Sequence, residues 1–143
     1  MKKYVSKKLI FASLLAVCGS SAAVGYAQAA PANLLETLER GMWQFRAVGG
    51  GSTGTAINKL CVGNVTKLAQ IQHVANDCTQ LVLRSNPTSM TISYSCKAAG
   101  QGTTTIRKET SKLIHIDSQG IKNNSPFAFN VEARMVGACP PAA

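Results

Sequence analysis

Acidic side chains are scarce in this chain: Glu36, Glu39, Asp77, Glu109, Asp117 and Glu132 are the only six in 143 residues. Glycoside hydrolysis needs two carboxylates flanking one bond. So small a set supplies no such pair, since Glu36 and Glu39 share one short predicted helix and Glu109 and Glu132 stand between basic neighbours. Histidine is scarcer still, with His73 and His115 alone. A hydroxyl or thiol nucleophile needs a base beside it and a third group to orient that base. Only Leu113-Ile114-His115-Ile116-Asp117 approaches this, with His115 and Asp117 on one strand face. Residues two apart on a strand stand roughly 7 Å apart at their roots, too far for an easy direct bond. His115 is thus the one candidate base for a weak hydrolase, and a surface histidine is its simpler reading. His73 and Asp77, at i and i+4, are expected to make a local pair.

Other absences narrow the field further. The cysteines stand at 18, 61, 78, 96 and 139, with no C-x2-C pair of the kind small zinc sites use. The glycine-rich stretch Gly49–Gly54 is not followed by Lys-Ser/Thr at phosphate-loop spacing. No cofactor motif is present. Nor is there a Lys/Arg cluster denser than Arg107-Lys108, which argues against a nucleic-acid footprint. The longest apolar run, Leu9–Cys18, is half the roughly 20 residues that a membrane span requires. Repeats, heptads and low-complexity blocks are missing as well.

What is there begins with an export signal over residues 1–29. Lys2, Lys3, Lys7 and Lys8 form a basic start, the apolar run follows, and Ala27-Gln28-Ala29 gives a small-x-small cleavage site. Lipidation at Cys18 is the alternative, disfavoured because the bulky Val17 precedes it. Cleavage leaves one domain over residues 30–143, not transmembrane and destined for the periplasm or the exterior. Losing four lysines from fifteen basic residues leaves eleven against six acids, a net charge of +5. That mild excess suits an anionic envelope surface.

Cleavage also removes Cys18 and leaves an even set, Cys61, Cys78, Cys96 and Cys139, as an oxidising compartment favours. Three connectivities are open. The expected one is Cys61–Cys78, closing a short segment of weak strand character, with Cys96–Cys139 tying a strand to the loose C-terminal tail.

Along the mature chain, Pro31–Gly41 reads as a helix capped by Asn33, with Leu34, Leu35 and Leu38 inward. Trp43, Phe45 and Ala47 then alternate with polar residues as a strand does. Val65–Val74 is expected as a second short helix with Leu68 and Ile71 inward. Leu81–Leu83 reads as a buried strand ending near Asn86-Pro87. Met90, Ile92, Tyr94 and Cys96 alternate most clearly of all. Strands follow over Thr103–Lys108 and Thr110–Asp117, a turn is expected at Ser118-Gln119-Gly120, and Phe127–Met135 is the last strand. Short connections favour antiparallel pairing. The predicted fold is mainly β (α+β): a curved antiparallel meander sheet of five to six strands with one or two short helices.

An ordered set of short motifs then emerges. Gly41-Met42-Trp43-Gln44-Phe45 is followed by Cys61-Val62, then Cys78, then Tyr94-Ser95-Cys96, and the chain closes on Ala133-Arg134-Met135-Val136-Gly137-Ala138-Cys139-Pro140. In this order the chain resembles the family of small exported bacterial proteins known as DUF3617. Arg40 and Gln44 depart from the proline and glutamate of that family's opening motif. The resemblance implies an exported β-rich domain with paired cysteines, and no activity.

The functional expectation is a non-enzymatic envelope protein that binds or shields a partner on a sheet face. The partner is an anionic envelope component or another exported protein. Arg107, Lys108, Lys112, Lys122 and Arg134 are the candidate basic face. The alternative is an inhibitor of a secreted hydrolase, presenting the Gly49–Gly54 loop or the Ser118–Asn124 turn.

Overall fold

A computed structural model of the chain describes residues 33–49 and 58–141. The export signal, Cys18 and most of the Gly49–Gly54 loop lie outside the described residues. Among the described residues seven strands form one antiparallel sheet: β1 (Gly41–Ala47), β2 (Lys59–Val62), β3 (Thr79–Ser85), β4 (Ser89–Ser95), β5 (Gly100–Thr110), β6 (Leu113–Lys122) and β7 (Ser125–Gly137). Their order across the sheet is β2-β1-β7-β6-β5-β4-β3. The fold is mainly β, as expected, but the sheet has seven strands rather than five or six and is open, not curled on itself. The strand missing from the sequence reading is β2, whose four residues are too few to show alternation.

Strands β3 to β7 are a meander in which each pairs with the next. β7 then returns beside β1, so the hairpin of β1 and β2 extends the meander at its far side. β2 and β3 occupy opposite edges, and the chain between them must cross the sheet. It does so as a 3-10 segment, Val65–His73, which contacts β2 at one side and β4 and β5 at the other. Asn64 caps it by accepting a hydrogen bond from the Thr66 backbone N–H at 3.0 Å. Leu68 and Ile71 point inward as the spacing predicts.

The crossing segment makes the sheet two-faced. On the covered side lie Trp43, Phe45, Met90, Ile92, Ile106, Ile114, Ile116, Phe127, Phe129, Val131 and Ala133, all buried. Strict alternation puts the polar residues of the same strands on the outer side. The first predicted helix contracts to one 3-10 turn, Leu34–Thr37, still capped by Asn33 and still burying Leu34 and Leu35. It stops early because Leu38 is extended and the Glu39 N–H donates to the Ser111 carbonyl, while the Trp43 indole N–H donates to the Glu39 carbonyl at 3.0 Å.

The expected turn at Ser118-Gln119-Gly120 is not a turn. β6 runs through it to Lys122, and the chain reverses at Asn123-Asn124, both with positive φ (49° and 64°), as a two-residue hairpin of this hand requires. Ser118 is buried, its hydroxyl 2.7 Å from that of Thr104 on the adjacent strand. Gly120 is there for a close approach: a Cβ on it would run into the Gln101 carbonyl and the Gly102 backbone of β5. Gly102 and Gly120 are register partners, flanked in the same row by Tyr94 and Phe127. The covered side of this row is filled by aromatic rings instead of Cβ atoms. His73, at the end of the crossing segment, packs on Tyr94 and Phe127 with ring centroids 5.5 and 6.0 Å away. Its ring nitrogens reach the Tyr94 hydroxyl at 3.4 Å and the Ala99 carbonyl at 3.0 Å. The expected His73–Asp77 pair is therefore absent, because His73 is a core residue and Asp77 faces solvent beside Lys67.

The disulfides are Cys61–Cys139 and Cys78–Cys96, which corrects the expected connectivity. Thr79 faces Ser95 across the hairpin of β3 and β4, so Cys78 and Cys96 are the next rung beyond it. Cys139 leaves β7 just past Gly137, the partner of Met42, and Met42 is the partner of Cys61. One bridge thus locks the open end of a hairpin, and the other clips the C-terminal tail to β2.

Candidate functional site

The outer side of the sheet carries the charged and polar residues of six strands in register. One row across it reads Ser89, Arg107, His115, Glu132 and Arg46, on β4, β5, β6, β7 and β1. The next row towards the β5–β6 turn reads Leu113, Arg134, Gln44 and Lys59. Arg46, Arg107, Arg134 and Lys59 therefore share one face, two of them on β1 and β2 and outside the predicted basic face.

Glu132 organises this cluster. Its Oε1 accepts from the Nη2 groups of both Arg46 and Arg134, each at 3.2 Å. The bond from Arg134 holds the Glu132 carboxyl below the usual carboxylate range, with the nearby charges of Arg46, Arg134 and His115 adding to the effect. Each guanidinium keeps further N–H donors for another acceptor. A groove of about 280 Å³ opens between Gln44, Arg46, Glu132 and Arg134.

The predicted basic face is assembled only in part. Arg107 and Arg134 belong to it. Lys108 alternates to the other side of β5, where its Nζ donates to the Thr37 hydroxyl at 2.9 Å. Lys112 sits in the β5–β6 turn and pairs with Glu39 at 3.5 Å. Lys122 lies at the opposite end of β6, beside the Asn123-Asn124 turn. Alternation separates Lys108, and turn position separates the other two. Arg46 and Lys59 take their place because β7 returns beside β1, a long-range pairing that no local pattern announces.

His115 and Asp117 do lie on one face, as expected, but each is engaged elsewhere. His115 Nε2 stands 3.4 Å from Glu109, and Asp117 accepts from Asn130 at 3.5 Å. Among the described residues no group of three or more His, Cys, Asp or Glu is placed to hold a metal ion.

Further along the outer side a second, wider groove of about 560 Å³ lies across the Gly102–Gly120 row. Ser93, Ser95, Gln101, Thr103 and Gln119 line it with uncharged hydrogen-bonding groups, and Ile121, Pro126 and Ala128 give it an apolar side. On the covered side of the same row, burial pushes the Tyr94 hydroxyl pKa up, while a hydrogen bond with Ser118 opposes the shift.

No protein-family model, curated protein or solved structure matches the chain. Two disulfides fit an oxidising compartment. No helix among the described residues is long and apolar enough to cross a membrane.

Proposed function

We propose that this is an exported, non-enzymatic binding domain of the bacterial envelope, of the DUF3617 kind, which holds a phosphate-bearing anionic partner on the outer side of its sheet. The observation that carries this reading is the convergence of Arg46 and Arg134 on Glu132, with Arg107 and Lys59 alongside. Arginine presents planar forked donors that match phosphate oxygens, and a carboxylate between two arginines fixes where those forks point. Two disulfides keep the platform rigid outside the cell, so little ordering is needed on binding.

The reading as a hydrolase inhibitor has less to stand on. The predicted Ser118–Asn124 loop is strand up to Lys122, leaving a two-residue tip.

The test is co-sedimentation of the mature protein with phosphatidylglycerol vesicles, with lipopolysaccharide, and with phosphatidylcholine vesicles. Binding to the two anionic probes, weakened by salt and absent from phosphatidylcholine, is expected. The two anionic arms separate a lipid headgroup from a lipopolysaccharide phosphate. Arg46→Gln and Arg134→Gln should each weaken binding about fivefold, the equivalent of about 1 kcal/mol per cation near an anionic surface. Equal retention on all three probes, or retention indifferent to both substitutions, would refute the proposal.

A further inference from the structure

The two edges of the sheet are unlike. β2 is four residues long, carries Lys59, and is clipped by the Cys61–Cys139 bridge. Short, charged or covalently held edges resist pairing with other chains. β3 is seven residues long, pairs only with β4 among the described strands, and has neither lysine nor proline. Its centre is Leu81-Val82-Leu83, exposed at 64, 48 and 52%. Alternation should hide every second residue of a sheet strand. Three consecutive exposed apolar side chains mean that β3 is apolar towards both faces and along its rim.

The backbone of β3 also has directions left over. In an antiparallel ladder, bonded and non-bonded pairs alternate, and the non-bonded pairs bring their Cα atoms closer, to about 4.5 Å. Cys78 and Cys96 are 4.2 Å apart at Cα and so mark a non-bonded rung. Counting along the register, Gln80 opposite Tyr94 and Val82 opposite Ile92 are non-bonded rungs too. Their N–H and C=O groups point away from β4, out of the sheet. A bulge between Val82 and Arg84 leaves Leu83 without a partner on β4.

We propose that β3 is a self-association edge, and that a second copy of this chain pairs with it antiparallel about a two-fold axis at Val82. The residue order favours a copy over a foreign strand, because it is self-complementary in this register. Val82 faces Val82 of the copy, and Leu81 faces Leu83. Apolar meets apolar, and the one charge on the strand, Arg84, lies beyond the bulge, away from the axis and so from its own image. The outward N–H and C=O groups of Val82 meet those of the copy, closing two hydrogen bonds at the axis. Such an interface is isologous and closes on itself without further growth. Antiparallel partners share faces, so the sheet continues as twice seven strands with both outer faces on one side. The cationic clusters then face the same way, although the pairing stands independently of what they bind.

Light scattering on the mature protein across a dilution series tests this. A mass of two chains at high concentration, falling towards one on dilution, is expected. Val82→Pro removes a donor that β4 does not use, and should weaken the dimer about tenfold through the two lost bonds. Leu81→Lys should do the same by placing a charge against Leu83 of the copy. The double variant Leu81→Lys/Leu83→Glu should recover the dimer, because the new charges face each other only in the proposed register. Circular dichroism and a free-thiol count establish that each variant keeps its fold and both bridges. One-chain mass at every concentration would overturn the proposal. So would a dimer that tolerates both Val82→Pro and Leu81→Lys, or one that the double variant fails to restore.

Discussion

Cys78 and Cys96 face each other across the open end of the β3–β4 hairpin, one rung beyond Thr79 and Ser95, with Cα atoms 4.2 Å apart. The bridge holds the base of the edge strand proposed to pair with a second copy. Cys61–Cys139 spans 78 residues and ties the first hairpin to the end of the last strand. Non-reducing peptide mapping should recover these two pairs and neither of the other connectivities.

Loss of each bridge should cost stability according to the loop it closes. On the chain-entropy relation, the pair Cys78→Ala/Cys96→Ala should lose about 3 kcal/mol and Cys61→Ala/Cys139→Ala about 4 kcal/mol. Urea unfolding of the two double variants measures both. A larger loss from the Cys78–Cys96 pair than from the other would contradict the loop-length account.

The glycine row is a second point of weakness. A methyl on Gly120 meets backbone atoms of Gln101 and Gly102, and one on Gly102 meets the Tyr94 hydroxyl at 2.6 Å and the Gln119 carbonyl at 2.9 Å. Backbone cannot step aside as a side-chain tip can, so Gly120→Ala should destabilise by about 3 kcal/mol, at the upper end of overpacking costs. Gly137→Ala, with open space where its methyl would go, is the control and should be near neutral. Thermal or urea unfolding compares them.

Much of this arrangement is legible in the sequence, and the exceptions share one cause. Alternation along Met90–Cys96 and Phe127–Met135 reveals strands and their buried faces because it is a local pattern. Gly120 misleads because glycine signals a turn locally, whereas here it admits a neighbouring strand. His73 reads as the local partner of Asp77 until Tyr94, Phe127 and the glycine gap are brought to it. The disulfides mislead for the same reason, since nearness in sequence is not nearness in the sheet. The Cys78–Cys96 pairing was nonetheless within reach, because the two cysteines are centred on Pro87, inside the turn signal Asn86-Pro87. The cationic cluster was not, since it depends on β7 returning beside β1.

Glu132 should titrate below the ordinary glutamate value of 4.5, because the Arg134 hydrogen bond favours its charged form. A depressed carboxylate stabilises the fold above the unfolded-state value and loses that contribution as pH falls through the folded one. Its carboxyl resonance should therefore show a midpoint under 4.5, and Arg134→Gln should raise that midpoint. A midpoint that does not respond to the substitution would separate Glu132 from the arginine cluster.

The central claim is that the outer face between β1, β7, β6 and β5 is where an anionic partner sits. Backbone amide shifts of residues 30–143, titrated with short-chain phosphatidylglycerol at low salt, test it most directly. The account predicts shifts concentrated at Gln44, Arg46, Arg107, His115, Glu132 and Arg134, reversed by salt. Shifts centred on the Asn123-Asn124 turn, on β3, or on the neutral groove around Ser93 and Gln119, with Arg46 and Arg134 unmoved, would contradict it.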